Sequence, residues 1–282
     1  MFGKTEQRPF ASRQAQAVQR CCCAAQSNPA GQKRMGNRTQ RLRHSSVHRK
    51  LVVLEKWHVT PRMIRIILGG DEFEDFTTSS ADDHIKIFVP NEEGELEARD
   101  FTPRYFDPQT KKLTVDIALH PAGPAIRWAE QAEVGDVIEI SGPRGSLVVS
   151  DEFDWWLLVG DETALPAIGR RIEGLRDGVC AISIVAVDGR AEEQVFNTNA
   201  KHHAVWVHRF AAESTDPRPL LEALEKIKLP KGDGFVWIAA EAKVARAARD
   251  HIVNFRRHPM QWLRASGYWV EGQADAYDRL DS

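Results

Sequence analysis

The chain has 282 residues, 42% of them hydrophobic, with 38 Lys/Arg against 40 Asp/Glu and a formal charge of −2. That length fits two compact domains, the hydrophobic share supports a sizeable core, and no apolar run is long enough for a membrane-spanning helix. The small net charge hides an asymmetry: residues 1–50 carry eleven basic residues and the single acid Glu6, so the remainder carries −12. The basic leader has no hydrophobic periodicity and no apolar core of a secretory signal, and residues 1–47 are expected to be a dispensable, disordered tail. Neither nucleic acid nor a membrane is expected as a partner, and the protein is expected to be a monomer.

Three cysteines, Cys21, Cys22 and Cys23, are adjacent, which is not zinc-site spacing. The fourth, Cys180, is expected to be a lone buried thiol, and a reducing, cytoplasmic location follows from that reading. No His/Cys/Asp/Glu set has metal-ligand spacing, so no protein-bound metal is expected.

From Leu51 the pattern is strand-like. Leu51–His58 and Met63–Leu68 are short β-rich runs split by Thr60-Pro61, and Lys86–Pro90, Phe101–Phe106, Leu113–Leu119 and Asp136–Ser141 follow, each bounded by Pro, Gly or Asp. One brief helix is predicted near Pro124–Gln131. Six short strands with one helix indicate a small antiparallel barrel over residues 48–150. After Ser150 the grammar changes. Trp155–Val159, Cys180–Val187, Ala204–His208, Gly234–Ala239 and Gly267–Val270 are apolar strand runs that alternate with helical segments at Leu165–Leu175, Pro219–Ile227 and Ala242–Phe255. Such alternation predicts an α/β domain with a parallel sheet over residues 151–273, followed by a short tail at 274–282. The expected fold class is therefore two-domain, an antiparallel β-barrel followed by an α/β parallel-sheet domain.

Within the barrel, Arg99-Asp100-Phe101-Thr102-Pro103-Arg104 places an arginine, an aromatic and a hydroxyl at strand spacing. Arginine can pair with a pyrophosphate in a fork, and the Gly/Pro turn before Trp128 can present backbone N–H groups to phosphate oxygens. On this segment alone, an exposed edge-strand arginine beside a core phenylalanine fits equally well. By alternation, Arg99 and Phe101 share one face and Thr102 the other. In the second domain, Gly160-Asp161-Glu162-Thr163 follows the first strand, where ligands of open sheets bind. Helix capping by Asp161 or Thr163 is the competing reading.

Nine segments in order resemble the siderophore-interacting protein family of flavin-dependent ferric-siderophore reductases, within the ferredoxin reductase-like superfamily. They are DDHIK (82–86), RDFTPRY (99–105), VDIALH (115–120), AGPAIRWA (122–129), VGD (134–136), GPRGSLV (142–148), GDETALPAI (160–168), WIAAEAKVARAAR (237–249) and GYWVEG (267–272). The resemblance spans about residues 48–273. It implies an FAD-binding barrel and a domain of the pyridine nucleotide-binding type.

The resemblance carries specific roles. Arg99 neutralises FAD phosphates, Phe101 packs on the cofactor, and Thr102 offers a hydrogen bond near the ring, with Asp100 in the same motif. Asp116 and His120 lie beside the cofactor on the next strand. Ala122, Gly123, Pro124 and Ala125 form the turn at the pyrophosphate, with Trp128 behind it. Asp161, Glu162, Thr163 and Ala164 close over the flavin from the second domain. For an anionic ferric siderophore, Lys86, Arg104, Arg144, Lys243 and Arg246 are the expected cations, Arg104 on the flavin's exposed side. The GDET turn departs from the superfamily's glycine-rich nucleotide turn, and its carboxylates repel a pyrophosphate. NAD(P)H and reduced ferredoxin therefore both stand as electron donors. A flavin or ferredoxin NADP reductase and a non-catalytic siderophore-binding protein are the alternative functions.

Overall fold

The computed structural model describes residues 38–120, 123–273 and 277–280. The first domain is built on seven antiparallel strands. They are β2 (His48–Thr60), β3 (Met63–Gly69), β4 (Ile85–Pro90), β5 (Leu96–Phe101), β6 (Pro103–Asp107), β7 (Lys112–Ala118) and β8 (Val137–Ser141). Their order is β5-β4-β8-β2-β3-β7-β6. The alternating side chains Leu51 and Val53, Ile64, Ile66 and Leu68, and Ile85, Ile87 and Val89 point inward and form one core.

The two outermost strands, β5 and β6, are consecutive in sequence. The expected single strand Phe101–Phe106 is thus two strands at opposite ends of the sheet, and Thr102 is the residue at which the chain crosses. Pro103 has no N–H to donate, so the ladder on β4 cannot continue through it. That crossing curls the sheet into a barrel. Helix α1 (Pro124–Gln131) begins with Pro at its first turn and buries Ala125, Ile126 and Ala129 against the core.

Two further strands correct the expected boundaries. Residues 39–47 were assigned to the tail, yet β1 (Thr39–Arg43) pairs antiparallel with β9 (Gly145–Val149). A Cβ on Gly145 would lie 2.4 Å from the Leu42 carbonyl oxygen, so the close approach of β1 requires glycine there. At the other end, β15 (Asp278–Arg279) pairs antiparallel with β14 (Leu263–Trp269) where a tail was expected.

The second domain is a sheet of order β12-β11-β10-β13-β14-β15. Strands β10 (Trp155–Asp161), β11 (Cys180–Val187), β12 (Lys201–His208), β13 (Gly234–Glu241) and β14 run parallel. Strands β10, β11 and β13 are buried at every position, as continuous apolar runs covered on both faces must be. Trp155, Leu157 and Val159 face the cluster beneath α3 (Arg218–Lys226) and α4 (Ala242–Asp250). Trp156 and Leu158 face the opposite cluster beneath α2 (Leu165–Glu173). The expected helix Ala242–Phe255 is α4 continued by a wider π turn from His251 to Phe255. Cys180 is disulfide-bonded, which corrects its reading as a free thiol and removes the cysteine argument for a reducing compartment.

Candidate functional site

The barrel and the α/β domain meet along a cleft of about 770 Å³ at the carboxyl ends of β10 and β14. This volume lies in the usual range for small-molecule and cofactor sites, and β10 is the strand at which the chain order reverses. The barrel contributes Arg99, Asp100, Phe101 and Thr102 to its wall. Thr102 thus joins Arg99 and Phe101 rather than facing away, because strand alternation ends at the crossing before Pro103. The Arg99 guanidinium pairs with Glu97 and donates to the Ala98 carbonyl at 2.9 Å. Asp100 pairs with Lys86 at 3.2 Å, its direct cross-strand neighbour on β4.

Asp116 is buried on β7, where both its oxygens accept from Arg65 at 2.6 Å. The fork raises the Arg65 pKa, chiefly through the hydrogen bonds to Asp116. His120, at the cleft edge, stacks parallel to Trp269 of the second domain, with centroids 6.3 Å apart and planes 6° from parallel. The N-terminus of α1 opens on the same cleft through Gly123, Pro124 and Ala125. Gly123 makes no side-chain cap and no acid sits in the first turn, so among the described residues the positive end of this helix faces the cleft without a capping side chain. Trp128 packs against the barrel core instead of lining the cleft. Ala122 lies outside the described residues.

From the second domain, Thr163 and Glu162 line the cleft, but Asp161 and Ala164 do not. Ala164 is wholly buried in the core under α2. Asp161 is 2% exposed and its oxygens accept hydrogen bonds from Thr163, Glu241 and Trp269. Glu162 pairs with Arg209 at 2.8 Å. Burial, then the adjacent Asp161 charge, push its carboxyl up to about 7 against the pull of Arg209.

The cations expected to meet a substrate fall elsewhere. Arg104 is buried, paired with Glu173 at 2.7 Å and 3.7 Å from Asp116, so it braces the domain interface rather than facing a ligand. Its position follows from the strand break, which moves β6 to the far edge of the sheet. Lys86 is held by Asp100, and Arg144 and Lys243 are exposed. Arg246 pairs with Asp278 at 2.6 Å. None of these lines the cleft. Its wall instead carries Arg62, paired with Asp188 at 3.0 Å, and Arg264, paired with Asp82 at 2.6 Å. Neither sits in a recognisable motif.

Tyr268 and Tyr277 also reach the cleft. Tyr268 shares a hydrogen bond with Thr102, and burial, then the nearby Asp82 charge, raise its pKa well above the usual phenol value. Its hydroxyl therefore keeps its proton. Tyr268 and Trp269 reach the cleft from the end of β14.

Comparison with known proteins agrees with the fold. Residues 153–272 match the family model described as siderophore-interacting protein, and residues 52–98 and 90–147 match the siderophore-interacting FAD-binding domain. The NADPH-dependent ferric-chelate reductase of Escherichia coli (strain K12) is 31% identical over 263 residues, covering 82% of this chain and 96% of the relative. The ferric vibriobactin reductase ViuB of Vibrio cholerae is 24% identical over 247 residues, 80% of this chain and 90% of the relative. A siderophore utilization protein from T. fusca superposes with a TM-score of 0.80 at 32% identity, over 84% of this chain and 98% of that one. The chain belongs to the siderophore-interacting protein family.

Proposed function

We propose that this protein binds FAD in the interdomain cleft and reduces ferric siderophores, with a reduced nicotinamide nucleotide as electron source. The observation that carries the reading is the convergence in one cleft of Arg99, Phe101, Thr102, His120, the uncapped N-terminus of α1, and Thr163. The residues present fit a flavin dinucleotide. Arg99 and the α1 N-terminus suit its diphosphate, Phe101 offers an aromatic face, and the Thr102 hydroxyl is oriented by Tyr268. When bound, a flavin accepts a hydride and can pass electrons on singly, which no protein side chain does.

The chain's own residues bind and orient. Siderophores hold Fe(III) through hard, often anionic oxygens that bind Fe(II) far less tightly, so reduction releases the metal. Arg62, half-exposed beside Asp188, is the cation the cleft wall offers to such a complex, whereas Arg264 is already held by Asp82 of the same wall. The NADPH dependence of the Escherichia coli ferric-chelate reductase favours NADPH over ferredoxin as the donor. The protein is proposed to act as a monomer; among the described residues no helix is long and apolar enough to cross a membrane.

Purified protein is expected to carry flavin absorbance. Under anaerobic conditions NADPH should bleach it, and ferric siderophore should restore it while a ferrous trap develops colour. A flavin-loaded protein giving no ferrous signal with either NADPH or reduced ferredoxin would overturn the reading. Arg62→Ala should raise the KM for an anionic ferric siderophore several-fold while leaving flavin content unchanged. An unchanged KM would remove Arg62 from the substrate wall.

A further inference from the structure

In open α/β sheets a dinucleotide sets its diphosphate on helix N-termini at the strand carboxyl ends, where the order reverses. Here those positions lie at the ends of β10 and β13, and each is taken by a carboxylate of the chain itself. Asp161 Oδ1 accepts from the Thr163 backbone N–H at 2.9 Å and from its hydroxyl at 2.5 Å. Asp161 Oδ2 accepts from the Glu241 N–H at 2.9 Å and from Trp269 Nε1 at 3.0 Å. Four donors from three segments thus converge on one side chain. Glu241 Oε2 caps α4 by accepting from the Lys243 and Val244 N–H groups at 2.7 and 3.3 Å.

Asp161 and Glu241 are 2% and 0% exposed, so no solvent-borne anion reaches these donors. The glycine of the GDET turn has a packing role. A Cβ on Gly160 would lie 2.6 Å from both the Ala164 Cβ and the Ala239 carbonyl oxygen. The turn keeps the glycine needed for close strand–helix contact and replaces the diphosphate with a carboxylate.

We propose that Asp161 and Glu241 act as built-in substitutes for a dinucleotide diphosphate, so that a nicotinamide donor is recognised through its nicotinamide mononucleotide half alone. This rests on the reductase reading for the identity of the donor. It adds that specificity for the adenosine diphosphate half is excluded by residues of the second domain. Asp161 also holds Trp269 in its parallel stack with His120, which couples the filled socket to the cleft wall.

Two measurements on the flavin-loaded full chain test this. In anaerobic rapid mixing, reduced nicotinamide mononucleotide should reduce the flavin within about tenfold of NADPH, both as second-order rate constants. A larger preference for NADPH overturns the proposal. In calorimetry, ADP-ribose should bind the wild-type chain no more tightly than millimolar, and micromolar binding overturns it. Asp161→Gly frees the converging donors and should bind ADP-ribose at least about tenfold more tightly than wild type. No gain in a variant that still melts cooperatively counts against the proposal, since a purely structural cap predicts none. Glu241→Gly frees the Lys243 and Val244 N–H groups at the start of α4, and should also strengthen ADP-ribose binding if Asp161→Gly does not fold. The calorimetric arm needs no turnover, so it decides the proposal even if no donor reduces the flavin and the reductase reading fails.

Discussion

Glu162 stands on the cleft wall between two opposing influences, the Arg209 guanidinium and a largely desolvated setting next to Asp161. Its folded pKa of about 7 exceeds the ordinary value of 4.5. Between those values the folded state holds a proton that the unfolded state has lost, so stability falls as pH rises through that window and levels off above it. Glu162→Gln abolishes this dependence. The stability of the wild type relative to Glu162→Gln should therefore drop by on the order of 1–3 kcal/mol between pH 4.5 and 7.5. Urea unfolding of both proteins across that range checks it, and parallel curves would show that Glu162 titrates normally. The same charge argument governs Asp116, which neutralises Arg65 directly and lies between it and Arg104. Asp116→Ala leaves the partly buried Arg65 and the buried Arg104 without their shared carboxylate, at a cost of about 3 kcal/mol. Thermal melts with an Asp116→Asn control would measure it.

Among the elements, β1 does most to revise the expected organisation. Its five residues add a ladder to β9, and the flanking Arg38 pairs with Asp233 at 2.8 Å. Arg38 also lies over the Phe153 and Trp262 rings at 5.0 and 5.2 Å, joining the segment to the second domain's core. A chain starting at Arg38 and one starting at His48 should therefore differ in stability. Losing the ladder, the ion pair and the cation–π contacts should lower Tm by on the order of 5 °C, corresponding to roughly 2 kcal/mol at this chain length. Equal melting temperatures would mean that β1 contributes nothing to the fold. Sequence periodicity did not mark β1, because a strand of five residues with Arg41 and Arg43 exposed has no apolar alternation to detect.

At the scale of the molecule, the cleft exists because the two domains are pinned together beside it. Glu192 of the second domain, 7% exposed, accepts from the Thr60 hydroxyl at 2.5 Å and from the Arg62 N–H at 3.1 Å. Arg170 crosses in the opposite direction to the Thr78 hydroxyl and the Pro103 carbonyl, each at 2.8 Å. Removing the Glu192 acceptor leaves buried donors without a partner, which costs about 1–3 kcal/mol. Glu192→Ala should lower the urea midpoint accordingly and speed hydrogen exchange at the Arg62 amide. A lower midpoint with unchanged Arg62 exchange would place the loss elsewhere than at this contact.

The chain's local patterns were enough to place the barrel before the α/β domain and to delimit α1 and β11, while the family resemblance singled out Arg99, Phe101, Thr102, His120, Gly123 and Thr163, which the fold brings to one cleft. Period-two alternation, continuous apolar runs and Gly/Pro punctuation are properties of short segments, so they can be read without a structure. Tertiary structure alone decided which charges face the cleft. Lys86, Arg246, Arg62 and Arg264 are all paired with acids, but only Arg62 and Arg264, from segments with no motif, reach the cleft wall, and Arg104 is carried inward by the strand break. The same holds for Asp161, which the sequence left between nucleotide contact and cap, and which folding surrounds with donors from Thr163, Glu241 and Trp269. A side chain's role as ligand, cap or brace depends on partners up to about a hundred residues away, and only the packed chain brings those partners within hydrogen-bond reach.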